Sequence, residues 1–375
     1  MLNCKNFFSQ LRARGFDFFC GVPDSLLKYF SVYIDGCHGG PYRHVIAANE
    51  GNAIALAAGY YLATGRVALV YMQNSGLGNC VNPLVSLMDQ KIYRIPVLLM
   101  IGWRGKPGQY DEPQHLKQGA ITPELLKLMG IPYAILPNQI TEATKVLDRA
   151  CNFMKVKEKP YALIVEKGTF MPAEPLRKSQ ESYSILREQA IRSVVEELGE
   201  RDIVVSTTGK ISRELYECRR ELKHSCDADF LVVGSMGHAS QLSLGIALQK
   251  PKRRVFCFDG DGAVLMHMGG LATIGVCKPG NFKHIIFNNG AHDSVGGQPT
   301  AGFFVDFLAI AKGCGYKTVL RVEKHKELKN KISILKKSKG PALLEIRVAK
   351  GARHNLGRPS LSPFENRRLF MKFLK

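Results

Sequence analysis

Short apolar runs rich in β-branched and aromatic residues alternate along this chain with longer stretches whose apolar positions recur at helical spacing. A short run reads as a buried strand, and a longer periodic stretch as a covering helix. In the first half the pattern predicts strands over 16–22, 44–48, 67–73, 95–101, 133–136 and 161–166, and helices over 50–64, 79–92, 123–129 and 141–157. Pro23-Asp24-Ser25 opens a further helix, with Asp24 or Ser25 as its cap. A polar stretch over 168–183, with two prolines and no periodicity, then interrupts the alternation. Beyond it the pattern restarts with a helix over 185–198 and strands over 203–207, 230–233, 254–258, 283–287, 317–322 and 342–348, with helices over 263–274 and 324–339. Such alternation predicts the α/β class, with two domains that are each a mainly parallel sheet covered by helices on both faces. The expected boundaries are 1–170, a linker over 171–184, and 185–375.

Composition agrees with this picture. A chain of 375 residues exceeds one typical core, and 45% hydrophobic content suits globular layers. No apolar run reaches membrane-spanning length and the first fifteen residues lack the order of a signal peptide, so a cytoplasmic protein is expected. The ten cysteines include no CxxC pair, which favours reduced core thiols over a disulfide framework or a zinc site. A formal charge of +20 raises the question of nucleic acid. The basic residues are spread over helix 324–339 and the tail 347–375 without a nucleic-acid motif, so solvated faces, or a field that draws a small anion, explain them better.

Candidate chemistry gathers where strands end. Asp259-Gly260-Asp261-Gly262-Ala263 follows one apolar run and Asn288-Asn289 follows the next, at the strand ends where open α/β sheets hold ligands. The glycines permit close backbone approach, the helix after them offers a phosphate-attracting N-terminus, and Asp261 with Asn289 supplies hard oxygen ligands. A diphosphate carried on Mg²⁺ fits that set. In the first half, Glu50 stands where a strand turns into a helix, which locally reads as a carboxylate favoured by the helix dipole. Gln73-Asn74-Ser75-Gly76 reads as a tight turn or as a cofactor contact. Gly234-Ser235-Met236-Gly237-His238 repeats the strand, glycine-rich turn and helix, with Met236 as core packing and His238 as a cap or a ligand contact. Asp24, His115 and His292 lie in predicted loops at strand ends and are candidates to hold or relay a proton. Arg353 and Arg358 offer forked donors for a dianion, or belong to the basic surface.

Gly260-Asp261-Gly262, followed after a helix and a strand by Asn288-Asn289, resembles the signature of the thiamine-diphosphate (ThDP) enzymes. The resemblance implies paired ThDP-binding domains with no middle domain. It implies that Asp261, Asn289 and the backbone carbonyl of Ala291 ligate Mg²⁺, and that Glu50 hydrogen-bonds N1′ of the aminopyrimidine to promote proton loss from C2 of the thiazolium. Met236 would hold the cofactor bent, with Gln73, Asn74, Gly209, Gly234, Ser235, His238, Gly260, Gly262 and Ala263 as further contacts. Because the glutamate and the diphosphate site of this family belong to different subunits, a homo-oligomer with sites between subunits is implied. The stretches 21–27, 111–115, 289–299 and 351–359 narrow the likeness to the phosphonopyruvate decarboxylase family, with sulfopyruvate decarboxylases as close relatives. The activity implied is decarboxylation of a small anionic 2-oxo acid, 3-phosphonopyruvate, to phosphonoacetaldehyde and CO₂ in phosphonate biosynthesis. Sulfopyruvate decarboxylation and ThDP-dependent carboligation are the alternatives. Ile211 departs from the pattern, standing where a hydroxyl residue is expected. The glycine-containing segments 105–119 and 290–300 are candidate lids.

Overall fold

The computed structural model of the chain describes residues 1–36, 42–173 and 183–375. It divides into two compact units, Met1–Ser179 and Gln180–Lys375. Most of the linker expected over 171–184 falls on 174–182, outside the described residues, as does Cys37. The nine described cysteines are all free, and no described helix is long and apolar enough to cross a membrane.

The first unit runs α1 (Cys4–Ala13), β1 (Phe18–Gly21), α2 (Lys28–Gly36), β2 (Arg43–Ile46), α3 (Glu50–Thr64), β3 (Leu69–Gln73), α4 (Leu77–Val85), β4 (Leu98–Gly102), α5 (Pro113–Leu128), β5 (Tyr133–Ile135), α6 (Ile140–Lys157) and β6 (Tyr161–Val165). The six strands among its described residues are all parallel, in the order β2-β1-β3-β4-β6-β5. Side chains alternate across the sheet, so Leu69 and Tyr71 enter one apolar layer while Val70 and Met72 enter the other. Both faces are buried, as the continuous apolar runs require.

The second unit runs α7 (Arg187–Glu197), β7 (Ile203–Ser206), α8 (Lys210–Glu221), β8 (Asp229–Leu231), α9 (Ala239–Gln249), β9 (Val255–Gly260), α10 (Asp261–Met266), α11 (Gly270–Cys277), β10 (Phe282–Asn288), α12 (Phe307–Gly313), β11 (Thr318–Val322), α13 (Leu328–Lys337), β12 (Ala342–Arg347) and α14 (Pro363–Leu374). Its parallel sheet has the order β11-β12-β10-β9-β7-β8. Counted within each unit and from the other edge, that is the strand order of the first unit. Strand order reverses beside β1 and β3 in one unit, and beside β7 and β9 in the other. Crevices that hold ligands open at such reversals.

Several expectations need correction. The helix after β1 begins at Lys28, so neither Asp24 nor Ser25 caps it; the Asp24 carboxylate instead accepts the Leu26 amide at 2.9 Å in a tight turn. The helix expected over 263–274 is two helices, because His267 leaves helical backbone at φ −133° and ψ 49°. The helix expected over 123–129 starts ten residues earlier, at Pro113, so His115 stands on a helix and half of the candidate lid 105–119 is helical. Proline is tolerated inside α5 because the carbonyl that Pro123 cannot serve, Gly119, accepts the indole N–H of Trp103 at 2.9 Å. The basic tail after 347 carries a capped helix, α14, with a reciprocal Ser362–Glu365 capping box.

Candidate active site

In the first unit, a side-chain hydrogen bond joins the loop after β1 to the end of β3 at the reversal. Gln73 Nε2 donates to Asp24 Oδ1 at 2.7 Å, and Ser75 Oγ donates to Gln73 Oε1 at 2.8 Å. Asp24 is fully buried, and a methyl on Gly102 would come within 2.1 Å of its Oδ2. Burial raises the Asp24 pKa above the ordinary carboxyl value, outweighing the bonds from Gln73 and the Leu26 amide. Beside it, Arg104 donates to Ser25 Oγ at 2.8 Å and grips Asp111 with both arms of its fork, one at 2.8 Å. The amides of Gly105 and Glu112 also donate to Asp111, each at 2.8 Å. Burial works against the Asp111 charge, yet these bonds, led by Arg104, hold its pKa below the usual range. Burial, then the Arg104 charge, lowers His115 to about 4, so its ring is neutral near pH 7.

Glu50 is the first residue of α3, whose N-cap Asn49 accepts the Asn52 amide at 2.9 Å. Its carboxylate is buried and accepts from Asn79 Nδ2 at 2.7 Å. Gly76 lies against it so closely that a methyl there would approach Oε1 to 2.5 Å. Asn74 is fully buried, with its amide donating to the Arg104 carbonyl at 2.8 Å and to Thr122 Oγ1 at 2.9 Å. It ties the loops of this unit together.

In the second unit, Asp261 opens α10 at the end of β9 and is 2% exposed. Thr300 Oγ1 donates to its Oδ2, and the Asn289 amide lies 3.4 Å from its Oδ1. Burial raises Asp261 to about 6, and hydroxyl and backbone bonds only partly offset it. Gly302 completes the cradle, since a methyl there would meet Asp261 Oδ2 at 2.4 Å and Asn288 Oδ1 at 2.6 Å. Asn288 donates to the Gly302 carbonyl and to Glu345 Oε1, both at 2.7 Å, and anchors the loop from below. Asn289 keeps Oδ1 on the side of Ala291, whose amide it accepts at 3.0 Å. The His292 ring lies over Gly262, 3.2 Å from where a methyl would stand, and burial lowers it to about 4. A buried carboxylate, an amide oxygen and nearby backbone carbonyls form a hard donor set suited to Mg²⁺.

Across the reversal from Asp261, β7 is followed by Thr207-Thr208-Gly209, and Thr208 Oγ1 accepts the Gly234 amide at 3.2 Å. Gly209, Gly234 and Ser235 all have positive φ, at 104°, 68° and 43°, the kind of backbone from which anion-holding turns are built. Ile211 is buried beneath Gly260, and the neighbouring Ser212 bonds the Thr207 carbonyl at 2.7 Å, which puts the hydroxyl one position on. His238 precedes α9 with its ring 4.4 Å from that of His267. Met236 is half-buried in the same turn. Arg353 is engaged by Glu188 at 2.9 Å and by Glu217, so its charge is already answered.

The residues that sequence reasoning did not single out are the partners. Asn79, Asp111 and Asp293 stand within or beside recognised stretches, and a polar side chain there was the available signal. Thr300 ends the candidate lid 290–300, whereas Arg104 and Arg187 gave no signal, because they meet the site only through the fold.

The two sheets and their strand-end sites define a thiamine pyrophosphate enzyme. Residues 5–127 match the thiamine pyrophosphate enzyme N-terminal TPP binding domain, and residues 207–346 match the C-terminal TPP binding domain. Over 100% of this chain and 95% of the relative, the sequence is 35% identical to phosphonopyruvate decarboxylase of Streptomyces viridochromogenes. It is also 35% identical to that of Streptomyces hygroscopicus, over 100% of this chain and 94% of the relative. Sulfopyruvate decarboxylase of Methanosarcina acetivorans is 31% identical over 75% of each chain. The chain belongs to the phosphonopyruvate decarboxylase family, carbon–carbon lyases among the thiamine pyrophosphate enzymes.

Proposed function

We propose that this chain catalyses ThDP- and Mg²⁺-dependent decarboxylation of 3-phosphonopyruvate to phosphonoacetaldehyde and CO₂, a step of phosphonate biosynthesis in the cytoplasm. One observation carries the reading: similarity to phosphonopyruvate decarboxylases spans the whole chain, and Glu50, Asp261 and Asn289 are all present and buried. Residues 1–170 serve the aminopyrimidine and 185–375 the diphosphate. Asp261, Asn289 and the Ala291 carbonyl hold the cation, which answers the otherwise costly buried carboxylate. The Gly209, Gly234 and Ser235 turns cradle the phosphates. The enzyme is a homo-oligomer in which Glu50 of one subunit serves the diphosphate site of another.

Bound ThDP supplies a thiazolium that accepts the electron pair released as CO₂ leaves. The protein's part is to hold protons and charge. Glu50, steadied by Asn79, exchanges a proton with the aminopyrimidine. Asp24 would deliver a proton to the carbon that has lost CO₂; of Asp24, His115 and His292, only Asp24 has a pKa shifted upward, by burial, while burial shifts both histidines down. The neutral histidines hydrogen-bond or relay. The net positive field draws in the anionic substrate, and Arg358 contacts its phosphonate.

CO₂ release from phosphonopyruvate, sulfopyruvate and pyruvate, with ThDP and Mg²⁺ present, tests this. Phosphonopyruvate is expected to be the fast substrate. Preference for sulfopyruvate would keep the mechanism and change the substrate, and no CO₂ from any of the three would overturn the decarboxylase.

A further inference from the structure

We infer that Asp293, fixed by Arg187, is a positioning residue that turns the oxygen of Asn289 toward the cation, an inference that rests on the Mg²⁺ site proposed above. An asparagine ligates a cation only through Oδ1, and its amide can also point the other way, presenting an N–H₂ that a cation repels. What decides the direction is the partner on the far side. Asn289 Nδ2 donates to Asp293 Oδ2 at 2.6 Å. A carboxylate has no proton to give, so Asp293 accepts only the nitrogen and leaves Oδ1 on the side of Ala291, the third proposed ligand.

Asp293 is itself held from two further directions. The same oxygen accepts from Arg187 Nη1 at 2.9 Å and from the Gly351 amide at 3.0 Å. Arg187, the first residue of α7, is buried and sends its other donors to Glu214 at 2.8 and 2.9 Å and to the Gly351 carbonyl at 3.1 Å. One guanidinium therefore locks α7, α8, the loop after β10 and the segment after β12. Two carboxylates, Glu214 and Asp293, share that guanidinium, which fixes Asp293 one side chain removed from the cation ligand. This geometry favours a bound cation. Ligand-orienting partners of this kind usually contribute ten- to a hundredfold to metal affinity.

The test titrates Mn²⁺, in place of Mg²⁺, into the full-length protein with ThDP and follows free Mn²⁺ by its EPR signal. Asp293→Ala is expected to weaken Mn²⁺ binding by about ten- to a hundredfold. Asp293→Asn should weaken it less, because its oxygen can still accept from Asn289 although nothing fixes which way either amide turns. ThDP affinity at saturating Mn²⁺ should stay near wild type, which separates positioning from general loosening. Wild-type Mn²⁺ affinity in either folded variant would overturn the inference. A wild-type protein that binds ThDP but no Mn²⁺ would overturn the cation site, and the inference with it.

Discussion

The two units share a strand order, yet the reversals of their sheets are furnished in opposite ways. In the first, side chains span the gap: Gln73 from β3 grips Asp24 beyond β1, and Arg104 grips Asp111 close by. In the second, backbone does the work, with three positive-φ turn residues on one side and Asp261 at a helix start on the other. The contrast teaches that topology fixes where a crevice opens and leaves its chemistry to the loops. It also separates the kinds of group each unit can offer. The first buries carboxyls gripped by neighbouring side chains, and the second sets one buried carboxylate among glycine-rich turns.

The strongest way to break this division is Glu50→Ala. CO₂ release should fall by about 10²–10⁴-fold, the usual worth of a positioned acid–base group, while ThDP and Mn²⁺ still bind. If cofactor binding fails as well, Glu50 is needed to hold the cofactor and not only to move its proton. Next in size, Asp261→Ala should lower Mn²⁺ affinity by at least about a hundredfold, more than a residue that only orients a ligand. Activity should then return at high metal concentration, a rescue that Glu50→Ala cannot show.

A matched pair of methyl groups sharpens the contrast further. Gly76→Ala presses on Glu50 and Gly302→Ala presses on Asp261, and each overpacks its unit by about 1–3 kcal/mol. Measured by Mn²⁺ titration and by turnover at saturating cofactor, the first should lower turnover alone and the second metal affinity first. The smallest effect concerns the cores. Among the described residues only the second unit buries a lysine: Lys283, whose ammonium donates to Ser338. Burial, then the Arg254 charge, lowers it to about 8. The unfolded chain therefore binds the extra proton between about pH 8 and the ordinary lysine value, and stability rises with pH through that window. Lys283→Met should flatten this slope in urea melts between pH 7 and 10, and an unaltered slope would assign it to other groups.

Much of this was legible in the sequence, because strand and helix periods are local. The twelve described strands follow from runs such as 203–207 and 283–287, whose apolar residues leave no alternative face. Asp261 and Asn289 were legible as a pair because each ends its own strand. What escaped was whatever depends on contacts distant in sequence. The length of α5 was hidden by Pro123, since nothing near Gly119 announces that Trp103 will supply the missing donor. Arg353 looked available for an anion because the two carboxylates that meet it, Glu188 and Glu217, lie more than a hundred residues away. Asp293 was read past for the same reason, its arginine being 106 residues upstream.

Trp103 has a consequence beyond the proline it accommodates. It is the chain's one tryptophan, fixed at the end of β4 with Lys106 5.5 Å from the centre of its ring. Indole emission therefore comes from the first unit and from the loop that leads to Arg104 and Asp111. Fluorescence during denaturation follows that unit alone, while circular dichroism sums both. Any separation between the two transitions measures how far two like-built sheets melt as independent bodies.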